Sequence, residues 1–339
     1  MDRSSTPART PSPALDIARV ASGNFLEMYD FMVFGYFAGA IGAAYFPGKS
    51  ATGTLLQSLA TFGVGFLMRP LGAVVLGTFT DRHGRRAGLL LTLALMSVGI
   101  LTLTVTPAYA TIGVLAPVLV LLGRLLQGFS AGAELGNVSV YLAEIAPPGR
   151  KGFYVSWQSG SQQVAVIVAA LIGVALSSTL GPQRLAAWGW RVPLALGCAV
   201  IPFLFLLRRH LRESDVFAQR RATPTLSELA GALWQGRGAV LGGVALVLMT
   251  TVSFYMITAY TPTFGRLLHL PERDNLWVTA GVGASNLIWL PLMGSLSDRI
   301  GRRPILIACT LLAILTAYPA MAWLAEAPSV ARLVAVELW

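Results

Sequence analysis

Gly77-Thr78-Phe79-Thr80-Asp81-Arg82-His83-Gly84-Arg85-Arg86 and Gly294-Ser295-Leu296-Ser297-Asp298-Arg299-Ile300-Gly301-Arg302-Arg303 are two copies of one pattern, Gly-x-x-x-Asp-Arg-x-Gly-Arg-Arg. Asp81 and Asp298 lie 217 residues apart. Each copy follows one long apolar segment and precedes another. Self-similarity at a long period marks a duplicated unit. In a membrane chain, two parallel repeats around a central axis build one large class of transporter.

The flanking sequence agrees with a membrane protein. Hydrophobic residues make up 55% of the chain and charged residues 12%, against about 25% charged in soluble domains. Apolar segments of spanning length, about 20 residues each, cover 20–46, 52–80, 87–106, 114–144, 153–180, 190–208, 238–262, 275–297 and 304–325. A tenth begins near Ser329. Residues 1–16, rich in Ser, Thr and Pro, read as a disordered tail. No secretory signal follows them, because the next apolar stretch carries Glu27 and Asp30 and has no small-residue cleavage site. Residues 17–208 then form a six-helix bundle, 209–236 a polar linker, and 237–339 helices seven to nine with the start of the tenth. The repeat places Trp339 inside the second half's fourth helix, about 90 residues short of a symmetric partner. The expected fold is all-α, two six-helix bundles with the second one incomplete, and a truncated fragment that does not transport is one reading of that ending.

Charge placement sets the orientation. Lys and Arg gather at Arg3, Arg9 and Arg19, at Arg82–Arg86, at Arg150 and Lys151, at Arg208–Arg221 and at Arg299–Arg303. These are the N-terminus and every second loop, so the positive-inside rule puts the N-terminus and the linker in the cytoplasm. The net charge of +10 is mostly this loop bias. Charges scattered over separate loops do not make a nucleic-acid surface. Cys198 and Cys309 fall inside apolar spans without metal-ligand spacing. No catalytic triad, metal cluster or phosphate-binding glycine loop appears, so the expectation is no enzyme, no metal and no organic cofactor.

A short basic loop between helices is what topology alone would produce. Two copies with the same fixed positions, each ending the second span of a repeat, are more specific, and they resemble the cytoplasmic signature loop of the major facilitator superfamily. The resemblance implies twelve helices in two bundles. It also implies that Asp81 and Asp298 pair with helix ends or arginines, holding an outward-open state and releasing on inward opening. The remaining motif positions, Gly77, Arg82, Gly84, Arg85, Arg86, Gly294, Arg299, Gly301, Arg302 and Arg303, belong to the same gating device. A second set of stretches narrows the likeness: Gly23-Asn24-Phe25-Leu26-Glu27-Met28-Tyr29-Asp30-Phe31, Gly65-Phe66-Leu67-Met68-Arg69-Pro70-Leu71-Gly72 and Trp188-Gly189-Trp190-Arg191-Val192-Pro193. They resemble the metabolite:proton symporters. Leu122–Gly132 and Tyr154–Ser159 are most similar to bacterial citrate–proton symporters. The fifth span lacks the Gly-Pro-x-x-Gly-Gly pattern of drug–proton antiporters.

Charges inside spans are costly and by default face a cavity or a partner. Glu27 and Asp30 share one helix face, with Asn24 a turn earlier, roughly 10–15 Å from the cytoplasmic end. A carboxylate withdrawn from water can load a proton near neutral pH. The bland alternative is a structural ion pair with Arg69 or Arg124. Arg69 lies roughly 18 Å from the same end, and its planar fork suits a carboxylate. Arg124 stands in Arg-x-x-Gln-Gly, which resembles the superfamily's fourth-helix motif associated with proton coupling, and Glu134 follows on the same helix. For both arginines, helix–helix pairing is the alternative. Trp157, Gln158, Ser161 and Gln162 share a face of the fifth span, either to orient a polyanion or to bond between helices. Thr250, Thr251, Ser253, Tyr255 and Tyr260 form a comparable set in the seventh. Arg191 reads as an interfacial arginine.

The expectation is therefore a proton-coupled importer of citrate or a related tricarboxylate in the bacterial inner membrane, multi-pass and monomeric. Arg69, Arg124, Gln158, Gln162 and Asn24 would contact the small carboxylate. Glu27, Asp30 and Glu134 would handle the coupling proton. The partners are that substrate and the lipid bilayer, with no nucleic acid. The alternatives are a symporter for a dicarboxylate or compatible solute, a non-transporting receptor, and the inactive fragment.

Overall fold

The computed structural model describes residues 13–48, 50–211, 213, 226–260, 270 and 272–338. Among them the chain is helical throughout. The long helices are α1 (Pro13–Tyr36), continued after Phe37 by α2 (Ala38–Tyr45), then α3 (Ala51–His83), α4 (Arg85–Val105), α5 (Leu115–Ile145), α6 (Lys151–Thr179) and α7 (Arg191–Arg208). The linker holds α8 (Leu226–Gln235), and the second repeat supplies α9 (Arg237–Tyr255), α10 (Glu272–Ile300), α11 (Arg302–Glu326) and α12 (Val330–Leu338). Eight helices among the described residues are long and apolar enough to cross a membrane. The N-terminal helix α1 is as long as they are but carries Arg19, Glu27 and Asp30.

Two boundaries differ from the sequence reading. The first helix begins at Pro13, inside the stretch expected to be a disordered tail ending at 16; residues 1–12 lie outside the described residues. Proline suits the first helical position, Asp16 in the first turn opposes the helix dipole, and Ile17 and Val20 are buried against α4, α5 and α6. The 209–236 linker contains α8, and its described start is packed on the bundle through buried Leu211.

The duplicated motif makes the same turn twice. Gly84 ends α3 and opens α4 at φ 101°, and Gly301 does the same between α10 and α11 at φ 88°. Only glycine takes that conformation without strain, so each motif reverses the chain within one residue.

Close crossings build the interior. A Cβ on Gly128 of α5 would strike the Gly65 carbonyl of α3, and one on Gly132 would strike the Arg69 carbonyl. Small residues at such crossings let backbones touch, which is how membrane helices associate without a hydrophobic drive. The α3–α5 crossing brings Arg69 and Arg124 beside α1, against Glu27 and Asp30 on successive turns. The two repeats meet chiefly along α6 and α10, where Gly152 and Gly294 face each other. The apolar windows of α9 and α11 bury nothing against the rest, an arrangement that hydrocarbon tolerates.

Candidate substrate and proton site

Asn24, Glu27 and Asp30 all point inward from α1 and are buried. Asp30 accepts from Nη1 of Arg124 at 2.7 Å, and Glu27 accepts from Nη2 of Arg69 at 3.1 Å. The same Nη1 of Arg124 also reaches Gln127 at 2.6 Å. The arginines named in the bland reading are thus the partners found. The pairs are nonetheless incomplete. Glu27 Oε2, Asp30 Oδ1, Arg124 Nε and Nη2, and Gln127 Nε2 are buried without a hydrogen-bond partner. Each such atom costs about 1–3 kcal/mol, more when charged. These groups line one cavity with Phe31 and Arg69, whose free space is about 20 Å³, room for one water. A charged polar guest that completed the bonds would be strongly favoured there.

Aromatic rings box both arginines. Arg69 lies 4.6 Å from the Phe66 centroid and 5.4 Å from Phe31. Arg124 lies 3.8 Å from Phe34 and 5.8 Å from Phe62. Such faces hold a cation while leaving its edge available. From the second repeat, Tyr255 sets its ring tilted to Phe31 at 6.4 Å and edge-on to Phe66 at 6.1 Å. Thr250 instead bonds carbonyls of its own helix.

The α6 face is committed to α1. Asn24 donates to the Gln158 carbonyl at 2.6 Å and to Ser161 Oγ at 3.0 Å. Gln158 and Gln162 donate back to Asn24 Oδ1 at 3.4 and 3.3 Å. The set forms an interhelical lock beside the ion pairs.

Glu134 does not join the Arg124 cluster. It pairs with Arg208, which is 0% exposed and draws its partners from three helices, α1, α4 and α5. The sequence reading groups Arg208 with the loop cations; it is interior, because the last turn of α7 packs between α1, α4 and α5 and turns its guanidinium onto Val20, Ser22, Leu89 and Glu134. Arg208, Thr92 and Gln127 are the site-region residues that sequence reasoning missed. Only Gln127 carried a signal, lying in the quoted Arg-x-x-Gln-Gly stretch.

At the motif end, Arg85 bridges Asp81 at 3.0 Å and Glu144 at 3.3 Å, and Glu213 accepts the backbone N–H groups of Arg85 and Arg86 at 2.7 and 3.3 Å. In the second copy, Asp298 accepts the backbone N–H groups of Gly152 at 2.7 Å and Phe153 at 3.0 Å. That carboxylate therefore caps α6 across the seam between the repeats. Arg82, Arg86, Arg299, Arg302 and Arg303 are exposed. Arg191 lies 4.2 Å over the Trp190 ring, away from the cavity.

Comparison with known proteins adds the following. A family model described as sugar (and other) transporter matches residues 17–231 and 218–337. A citrate-proton symporter of Salmonella typhi is 55% identical over 95% of this chain and 75% of its own length. One from Klebsiella pneumoniae is 53% identical over 95% and 73%. A solved structure of the major facilitator superfamily proton:xylose symporter XylE, bound to 6-bromo-6-deoxy-D-glucose, superposes with a TM-score of 0.77 at 19% identity, covering 96% of this chain and 78% of that one.

Proposed function

Because this chain belongs to the sugar (and other) transporter family of the major facilitator superfamily, we propose that it imports citrate, or a related tricarboxylate, together with protons across the bacterial inner membrane. The citrate-proton symporters at 55% and 53% identity support the substrate. The observation that carries the reading is the pair of half-satisfied ion pairs, Glu27–Arg69 and Asp30–Arg124, around one cavity.

The chemistry follows from charge. Citrate is largely a trianion at neutral pH, and moving each negative charge against the membrane potential costs about 2.3 kcal/mol per 100 mV. Co-transported protons remove that opposition. Arg124 offers unpaired Nε and Nη2, the two donors of a fork, to an incoming carboxylate. A second anion at that guanidinium competes with Asp30 for its positive charge, and protonation of Asp30 relieves the repulsion. Glu27 and Arg69 repeat the arrangement one turn away. Substrate binding and proton loading at α1 then favour one another, which is the coupling that symport requires. Asn24, Gln158 and Gln162 fix α1 against α6, so that both acids keep their place. The present cavity is closed to about one water, and citrate enters it when the two repeats rock apart. The Asp298 cap on α6 closes the motif end, and its rupture opens that end. The lysine and arginine bias makes the motif end cytoplasmic.

The test is uptake of labelled citrate by cells expressing the protein, with and without a proton uncoupler. Unlabelled citrate, dicarboxylates and a betaine serve as competitors. Accumulation abolished by the uncoupler and blocked best by citrate is expected. Uncoupler-insensitive uptake, or stronger competition by a betaine, would overturn the proposal.

A further inference from the structure

Arg208 is the most completely bonded charge in the bundle. Its Nε donates to Ser22 Oγ at 3.2 Å, and Nη1 donates to the Leu89 carbonyl at 2.6 Å and to Glu134 Oε2 at 3.4 Å. Nη2 donates to the Val20 carbonyl at 2.8 Å and to Glu134 Oε1. All five N–H groups of the guanidinium are thereby used. Glu134 also accepts from Thr92, whose own carbonyl accepts from Ser130 at 2.6 Å. The unit ties together α1, α4, α5 and α7. Neither Arg208 nor Glu134 has a buried polar atom left over, in contrast with Arg124, Asp30 and Glu27.

Gly23 completes the unit. A Cβ there would overlap the Arg208 guanidinium and the Glu134 carboxylate. With a side chain at position 23, α1 or the pair would have to shift. Gly23 directly precedes Asn24, and Glu27 lies one turn further along the same helix. Rotation of α1 at Gly23 therefore carries Asn24, Glu27 and Asp30 with it.

We propose that Arg208, Glu134 and Gly23 form a positioning node that sets the rotation and depth of α1, and through it the geometry of the transport site, while neither carrying the proton nor touching the substrate. Both oxygens of the Glu134 carboxylate are already taken by the guanidinium and the Thr92 hydroxyl, which suits a fixed strut. The node assigns Glu134 a role different from the proton handling that its place in the fourth span implied. It rests on the transport reading only for its uptake measurements.

Three variants and the double variant test it. Arg208→Met and Glu134→Leu each strand a buried charge, so each is expected to lower the thermal midpoint of the purified protein and its membrane yield. The double variant Glu134→Leu/Arg208→Met removes both charges and should recover most of both, because a buried pair replaced by apolar residues of similar volume is commonly neutral. In uptake, the double variant and Gly23→Ala are expected to raise the citrate KM about ten-fold through misplacement of α1, with the pH profile of uptake unchanged. A folded double variant that has lost its pH dependence would make Glu134 part of the proton route and overturn the proposal. So would wild-type KM in both the double variant and Gly23→Ala, which would leave the pair with no positioning role. Single variants as stable as wild type would remove the node altogether. Absence of citrate uptake by the unaltered protein would strike the transport reading instead, and the thermal measurements would still decide whether the node exists.

Discussion

Replacing Asp298 with Ala removes one carboxylate that spans the seam between the two repeats. Both of its oxygens are used, by the N–H groups of Gly152 at 2.7 Å and Phe153 at 3.0 Å. These are the first donors of α6, which have no partner within their own helix. A side-chain cap contributes about 0.5–2 kcal/mol, and a charge at a partly buried helix end reaches about 2 kcal/mol. Asp298 supplies both effects through the same two bonds, so about 2 kcal/mol is the loss on substitution with Ala. That is about 30-fold in the equilibrium between closed and open seam. Asn keeps one acceptor and loses the charge, and about half the energy, or about five-fold, is expected. The assay is the alkylation rate of a cysteine at Ser156, whose Cβ lies against Gly294 in the seam. Cys198 and Cys309 are replaced by Ser beforehand, since Cys309 is exposed. Alkylation should accelerate in the order wild type, Asp298→Asn, Asp298→Ala. Equal rates in all three would refute the reasoning, because the cap would then contribute nothing to closure.

Arg69→Lys should raise the citrate KM about ten-fold, since a point charge replaces a fork that also lies over Phe66 and Phe31; an unchanged KM would take Arg69 out of the substrate site. Asp30→Asn or Glu27→Gln should abolish pH-driven accumulation while preserving part of the exchange of internal for external citrate, and normal accumulation by both variants would place the proton elsewhere. Gly128→Val puts side-chain carbon into the Gly65 carbonyl and should remove folded protein from the membrane, as overpacking a close crossing does; wild-type yield would contradict the α3–α5 contact. Single cysteines at Arg86 and Arg302, in the same Cys198→Ser/Cys309→Ser background, should resist a membrane-impermeant thiol reagent in intact cells, and labelling of both from outside would invert the topology.

Much of the architecture is written locally. A span announces itself by its length and apolarity, and a repeat by its motif, without reference to any other part of the chain. A charge inside a span is equally conspicuous, because hydrocarbon makes it costly wherever it sits. Glu27, Asp30, Arg69, Arg124 and Glu134 were therefore all visible before any contact was known, and so was the turn at Gly84 and Gly301. The partners were not. Asp30 meets Arg124, Glu27 meets Arg69 and Glu134 meets Arg208 because of how α1, α3, α5 and α7 are rotated and crossed, and several different rotations are compatible with the same apolar pattern. Gln158 and Gln162 read either as substrate donors or as interhelical bonds, and only the α1–α6 crossing shows that both reach Asn24. Arg208 read as one more loop cation, because charge counting treats every arginine at a span end alike. The cap on α6 left no trace at all on its own side, since its donors are the backbone N–H groups of Gly152 and Phe153, which every non-proline residue possesses. The sequence by itself determined which groups must find partners inside the membrane; the tertiary structure decided which partners they found, because helix rotation and depth are set by close contacts such as Gly23 on Arg208 and Gly128 on Gly65, between residues far apart in the chain.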